Sequence, residues 1–193
     1  MSDETRVLRR DAEHNRRRTL AAAREVFAAR GLQATLNDVA HHAGLGVGTV
    51  YRRFPNKEAL AEVVYAAALD ELRDLARAAL AEPDAYMALR AFLERALERA
   101  ATDRGLRELM RQGTDAGEQI TRAREGIMER CGRLITRAKH QGALRGDVTV
   151  ADFAPIVAMI DAVMDLPPAG GADPPWRRYL AVILDGLRER PGP

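Results

Sequence analysis

Cysteine is almost missing from this 193-residue sequence. Cys131 stands alone, which excludes an intrachain disulfide framework and any zinc site built on several cysteines. No run approaches the roughly 18 to 20 consecutive apolar residues of a membrane span. The opening MSDETRVLRRDAEHNRRR lacks the apolar centre of a secretion signal. A cytoplasmic protein with no membrane partner is therefore expected. Histidine is scarce, with only His14, His41, His42 and His140, and no Ser/His/Asp grouping accompanies it. His41 and His42 are adjacent, so on a helix they point about a hundred degrees apart and cannot share one metal. Gly44, Gly46 and Gly48 imitate a phosphate loop in spacing only, because no strand precedes them and no Lys-Ser/Thr pair follows. No catalytic group, metal or cofactor is expected, and an enzyme with a basic surface is the weaker class of function.

What is present is helical and unevenly charged. With 47% apolar and 30% charged residues the composition is that of a globular chain. Residues 1–60 carry eleven Arg and Lys against seven Asp and Glu, whereas residues 61–193 carry nineteen against twenty-one. A basic head on a nearly neutral, Ala/Leu-rich body suggests a polyanion as partner. Only Lys57 and Lys139 among the basic residues are lysines.

From Asp11 to Arg30 apolar residues recur at helical intervals, ending at Gly31. Thr35 stands where an N-cap belongs, with Asp38 three residues on to close a capping box, and the helix runs to Ala43 before Gly44. A third short helix spans Val47 to Arg53, and Pro55 and Asn56 introduce a long one from Lys57 that ends before Pro83. Further helices are expected over 84–101, 104–112, 115–141, 149–165 and 174–188, with no strand. The fold class is all-α, with a head over 1–56 and a helical body over 57–193.

Cys131 falls on the apolar stripe Ile120, Ala123, Ile127, Cys131, Leu134 and Ala138, where a core role is expected. The helix from Val150 to Met164 is apolar nearly all round and needs burial on more than one side. Self-association through it and through WRRYLAVILDGL is the economical solution, with Ile156, Ile160, Val163, Tyr179, Val182 and Ile183 at the interface. Asp161 and Asp165 lie one turn apart there, either paired across the interface with arginines such as Arg177 or Arg178, or left at its wet rim, or serving a cationic ligand.

The informative stretch is TLNDVAHHAGLGVGTVYRRFPNKEAL, Thr35 to Leu60. Ala40, Gly44 and Val50 supply a small residue at a close helix crossing, a left-handed turn and an apolar anchor. That is the spacing of a helix-turn-helix, whose second helix enters the major groove. The stretch resembles the DNA-binding domain of the tetracycline-repressor (TetR) family of bacterial regulators. The resemblance rests on Thr35, Ala40, Ala43, Gly44, Gly48, Thr49, Tyr51, Phe54, Asn56, Lys57, Glu58 and Leu60.

The resemblance implies that Thr35, Thr49, Tyr51 and Lys57 contact phosphates. Gly46 and Val47 fall where the family often has Ser and Lys, which leaves fewer polar groups facing the bases. Arg52 is the candidate for bidentate reading of guanine, Arg53 for phosphate or bases, and Val47 for a thymine methyl. Arg9 and Arg10 are expected in the minor groove, with Arg16 to Arg18 along the backbone, unless the charged run is a solvated face. The resemblance further implies a homodimeric repressor on a palindromic operator, released by a small-molecule inducer. Phe92, Met110, Met128, Phe153 and Met159 are candidates to line the inducer's cavity. A DNA-binding module that answers to no ligand is the alternative.

Overall fold

The computed structural model describes residues 3–111, 117–167 and 174–189, with side chains from Arg10 onward. Among these residues nine α-helices follow one another: α1 (Asp3–Arg30), α2 (Leu36–Ala43), α3 (Val47–Arg53), α4 (Lys57–Ala79), α5 (Ala85–Thr102), α6 (Arg104–Arg111), α7 (Glu118–His140), α8 (Phe153–Met164) and α9 (Pro175–Gly186). No β-strand occurs among the described residues. α1 starts eight residues ahead of the expected Asp11, since nothing from Asp3 to Thr19 is Gly or Pro. Glu13 also pairs forward with Arg17 at 3.2 Å, a helix-supporting spacing of four. α8 starts later than expected, because a 3-10 turn over Val150–Asp152 precedes it, closed by a Thr149–Asp152 capping box.

The chain divides into two compact units, residues 1–67 with 102–120 and residues 68–101 with 121–193. In the first, α1, α2, α3 and the start of α4 bury Ala23, Phe27, Val39, Ala40, Val50 and Leu60. α6 joins that unit by packing on α1 and on the 3-10 turn Gly31–Gln33. The expected head ended at residue 56 and did not include this segment.

Three features hold α6 there. Gly105 has no room for a methyl group, since a Cβ would land on the Tyr65 hydroxyl and lie 2.9 Å from the Phe27 carbonyl oxygen. Asp103 caps the helix by accepting from Leu106 N–H and from the Tyr65 hydroxyl, each at 2.9 Å. Burial, and then the Asp103 carboxylate, push the Tyr65 phenol well above its ordinary pKa. Finally Glu108, 9% exposed, accepts from Leu32 N–H at 2.6 Å and from Arg104 Nε at 3.0 Å. A buried carboxylate needs such partners. Gly31 makes space for it, since a Cβ there would overlap the Glu108 carboxylate and its φ of 72° favours glycine.

The second unit packs α8 on α9 over a core that includes Leu89, Cys131, Leu134, Phe153, Ile156, Ile160, Trp176, Leu180 and Leu184. Arg137 donates to the carbonyls of Leu80 and Glu82, each at 2.6 Å, and Gln141 accepts from Ala85 N–H at 2.9 Å. These bonds satisfy the open backbone groups between α4 and α5. Burial pushes the Cys131 thiol up to about 12, in keeping with its expected core role. Arg177 pairs with Glu98 and lies over the Trp176 ring. No helix among the described residues is long and apolar enough to cross a membrane.

Gly105→Ala should destabilise the chain by about 1–3 kcal/mol, because the added methyl meets backbone as well as a hydroxyl. Urea unfolding of the two proteins measures it.

Candidate nucleic-acid interface

The interface begins with a turn. α2 ends at Gly44 in the left-handed region (φ 61°, ψ 38°), where its N–H reaches back to the carbonyls of Ala40 and His41 and Leu45 N–H bonds Ala40 O at 2.9 Å. A Cβ would be strained by that backbone and would lie 3.2 Å from an Arg18 nitrogen. Ala40 and Val50 are completely buried on the two sides of the turn. Thr35 closes the other end of α2 with the expected capping box: Asp38 N–H donates to Thr35 Oγ1 at 3.1 Å, and Thr35 N–H to Asp38 Oδ2 at 2.8 Å. The Thr35 hydroxyl itself donates to Asp38 at 2.6 Å. It is thus engaged in the cap, and a phosphate could take that proton only by breaking a bond to a carboxylate.

α1 braces α2. Arg18 Nη2 donates to the Ala43 carbonyl at 2.6 Å and the Gly44 carbonyl at 3.3 Å, His42 Nε2 sits 2.7 Å from Glu25 Oε2, and Arg30 pairs with Asp38 at 3.2 Å. The expected run of Arg16 to Arg18 along DNA therefore changes at Arg18, whose guanidinium satisfies the open carbonyls of α2 instead. Its signal in the sequence was hidden in a run of three arginines. Arg10 is exposed on α1, and Arg9 lies on the same helix with its side chain outside the described residues. The segment is helical where an arm or a solvated helical face was expected.

α3 faces outward. Val47 is 45% and Tyr51 46% exposed, and Arg52 and Arg53 are exposed beside them. Thr49 is half-buried, and its hydroxyl accepts from Arg52 Nη2 at 3.4 Å. Gly46 and Gly48 complete the outer surface. At the start of α4, Asn56 Oδ1 accepts Ala59 N–H at 2.8 Å, and Lys57 Nζ donates to the Leu32 carbonyl at 2.6 Å, with two ammonium protons left for another acceptor.

The expected ligand residues fall in different settings. Phe92 and Phe153 are buried core, Met128 is half-buried, Met159 is 52% exposed, and Met110 belongs to the first unit. An open groove of about 660 Å³ in the second unit is lined instead by Arg133, Ile135, Thr136, Lys139 and Val150 among others, and by none of the five. The expected interface residues divide as well. Tyr179 and Val182 are 48% and 60% exposed and Val163 and Ile183 half-buried, but Ile156 and Ile160 are buried within one protomer. The helical period turns those two inward, leaving Met159 and Leu166 outside.

A buried crossing, a left-handed glycine and a second helix with an exposed outer face define a helix-turn-helix protein of the DNA-binding class. Residues 20–64 match the family model for bacterial regulatory proteins of the tetR family, and residues 84–189 that for the C-terminal domain of SbtR-like transcriptional regulators. The chain belongs to the TetR family of bacterial transcription regulators. A TetR regulator from Streptomyces coelicolor is 32% identical over 91% of this chain and 99% of its own, with a TM-score of 0.56. One from Mycobacterium vanbaalenii is 34% identical over 94% and 99%, with a TM-score of 0.54. The structure of RolR in complex with its ligand resorcinol shares the fold at 19% identity over 92% and 89%, with a TM-score of 0.57. No curated protein gives a significant sequence match.

Arg18→Ala should lower stability by about 1 kcal/mol, the scale of a charged hydrogen bond at an exposed helix end, as read by urea unfolding. Hydrogen bonds from the Thr35 side chain and backbone, opposed only by slight desolvation, hold the Asp38 carboxyl below the ordinary value of 3.8. Because the folded pKa is the lower one, this contribution is present above pH 3.8 and fades as pH falls through the folded value. Asp38→Asn should flatten that part of the acid limb in stability measured against pH.

Proposed function

We propose that this regulator is a homodimeric repressor that docks α3 of each protomer into successive major grooves of a palindromic operator and releases it when a small-molecule effector binds. The observation that carries the docking is the exposed face of α3, Val47, Gly48, Tyr51 and Arg52, on a turn fixed by Gly44. Arg52 supplies the fork for a guanine, with Thr49, Tyr51, Arg53 and Lys57 placed for phosphates. Arg9 and Arg10 add charge from α1. A two-fold pair of such heads addresses half-sites about 34 Å apart or a multiple of it.

Dimerisation is supported by the outer face of the α8 and α9 pair. Met159, Leu166, Tyr179 and Val182 are each about half exposed there, between small residues such as Ala158 and Ala162. Soluble chains rarely leave such a patch uncovered. The groove of about 660 Å³ gives the second unit room for the effector, and RolR, which shares the fold, is solved with resorcinol as its ligand. Its coupling to the operator is reciprocal, each weakening the other's binding by the same factor.

Selection from a random oligonucleotide pool at two salt concentrations tests the reading, since affinity without salt is uninterpretable. A palindromic consensus is the expected result, and no enrichment over bulk DNA would overturn it. Val182→Glu should convert the dimer to monomer in sedimentation equilibrium and weaken operator binding. A persistent dimer would remove α9 from the interface.

A further inference from the structure

The first turn of α3 is bare, and the fold gives no reason for it. Gly44, two residues earlier, is required by its backbone; Gly46 and Gly48 are not. Gly46 has φ −62° and ψ 135°, and neither residue is among the glycines with positive φ. A Cβ at Gly46 would meet nothing nearer than the Thr49 hydroxyl at 3.7 Å, and one at Gly48 nothing nearer than an Arg52 nitrogen at 3.9 Å, both ordinary contacts. α3 has no side-chain N-cap, although a Ser or Asp at 46 would provide one. Glycine inside a seven-residue helix also weakens it. The fold thus tolerates an uncapped start and a helix-weakening glycine on α3, with a 45% exposed valine between the two glycines.

We infer that Gly46 and Gly48 clear the way for the α3 backbone to approach the floor of the major groove, so that Val47 packs its isopropyl group on a thymine 5-methyl. Val47 is then the specificity-determining residue of the first turn. The class of group it reads is apolar, and in a major groove only the thymine methyl is apolar. Tyr51 follows one turn later on the face of Val47, and Arg52 stands one turn after Gly48 with a hydrogen-bonding edge to read. The inference rests on the docking proposed above and adds what the first turn recognises: one T·A pair in each half-site, identified by its methyl group.

The test uses the full-length protein and the operator selected from the random pool. Each thymine is replaced in turn by deoxyuridine, which removes the methyl and leaves every hydrogen-bonding group. One position in each half-site should weaken binding by about fourfold, the worth of one buried methyl. Replacing both symmetry-related thymines should weaken it by about fifteenfold. Val47→Ala should bind more weakly and lose that sensitivity. Gly48→Ala should raise the melting temperature by about 3 °C, as expected for glycine replaced in a helix. It should also weaken operator binding by about tenfold, because the new methyl stands between backbone and bases. Stability and affinity moving in opposite directions separates contact from folding damage. Operator binding indifferent to deoxyuridine at every position overturns the inference and leaves the docking intact, as does undiminished sensitivity in Val47→Ala. Failure to select any operator removes both.

Discussion

The left-handed turn at Gly44 is the constraint from which the DNA-binding surface follows. It reverses the chain within a few residues between α2 and α3, with Ala40 and Val50 both shut off from solvent. Beyond its own backbone bonds to Ala40 and His41, the turn is braced from α1. Arg18 takes the two carbonyls that the end of α2 leaves open, and Glu25 reaches His42. An arginine that looks from the sequence like one more cation for DNA is thus an internal strut, and the outer surface is left to residues with no structural duty.

A second constraint acts at the other side of the same unit. Glu108 carries its charge into a nearly closed space, and what makes it acceptable there is the Leu32 amide at the entry to α2, aided by Arg104. Lys57 bonds the carbonyl of that same Leu32. One residue of a three-residue turn is therefore held through both its backbone groups, the N–H by an acid on α6 and the C=O by a base on α4. Between α1 and α2 thus stands a residue whose two flanking peptide groups are both held.

The helix-turn-helix was legible because its signals are local. Thr35 and Asp38 cap within four residues, Gly44 ends a helix, and Pro55 and Asn56 start another. The boundaries of α2, α3 and α4's first residue match the expectation, since each is fixed by chemistry inside a few residues. What escaped the sequence is non-local. Glu108 sits among arginines on a short helix and reads as surface, and only the fold shows that a glycine 77 positions earlier makes room for it. Ile156 and Ile160 were indistinguishable from Met159 and Val163 on a helix apolar all round, where hydropathy has no phase to report. Whether the segment before Asp11 is coiled or helical was equally hidden, because charge alone does not show it.

The lone cysteine has a practical consequence. Cys131 is sealed in the second unit with its thiol far from ionisation at neutral pH, so a folded chain offers thiol reagents no nucleophile. The rate at which such a reagent labels the protein is therefore a clock for the opening of that unit alone, uncomplicated by any other sulfhydryl. Any molecule that stabilises the closed second unit slows the clock, and it does so whether or not DNA is present to report it.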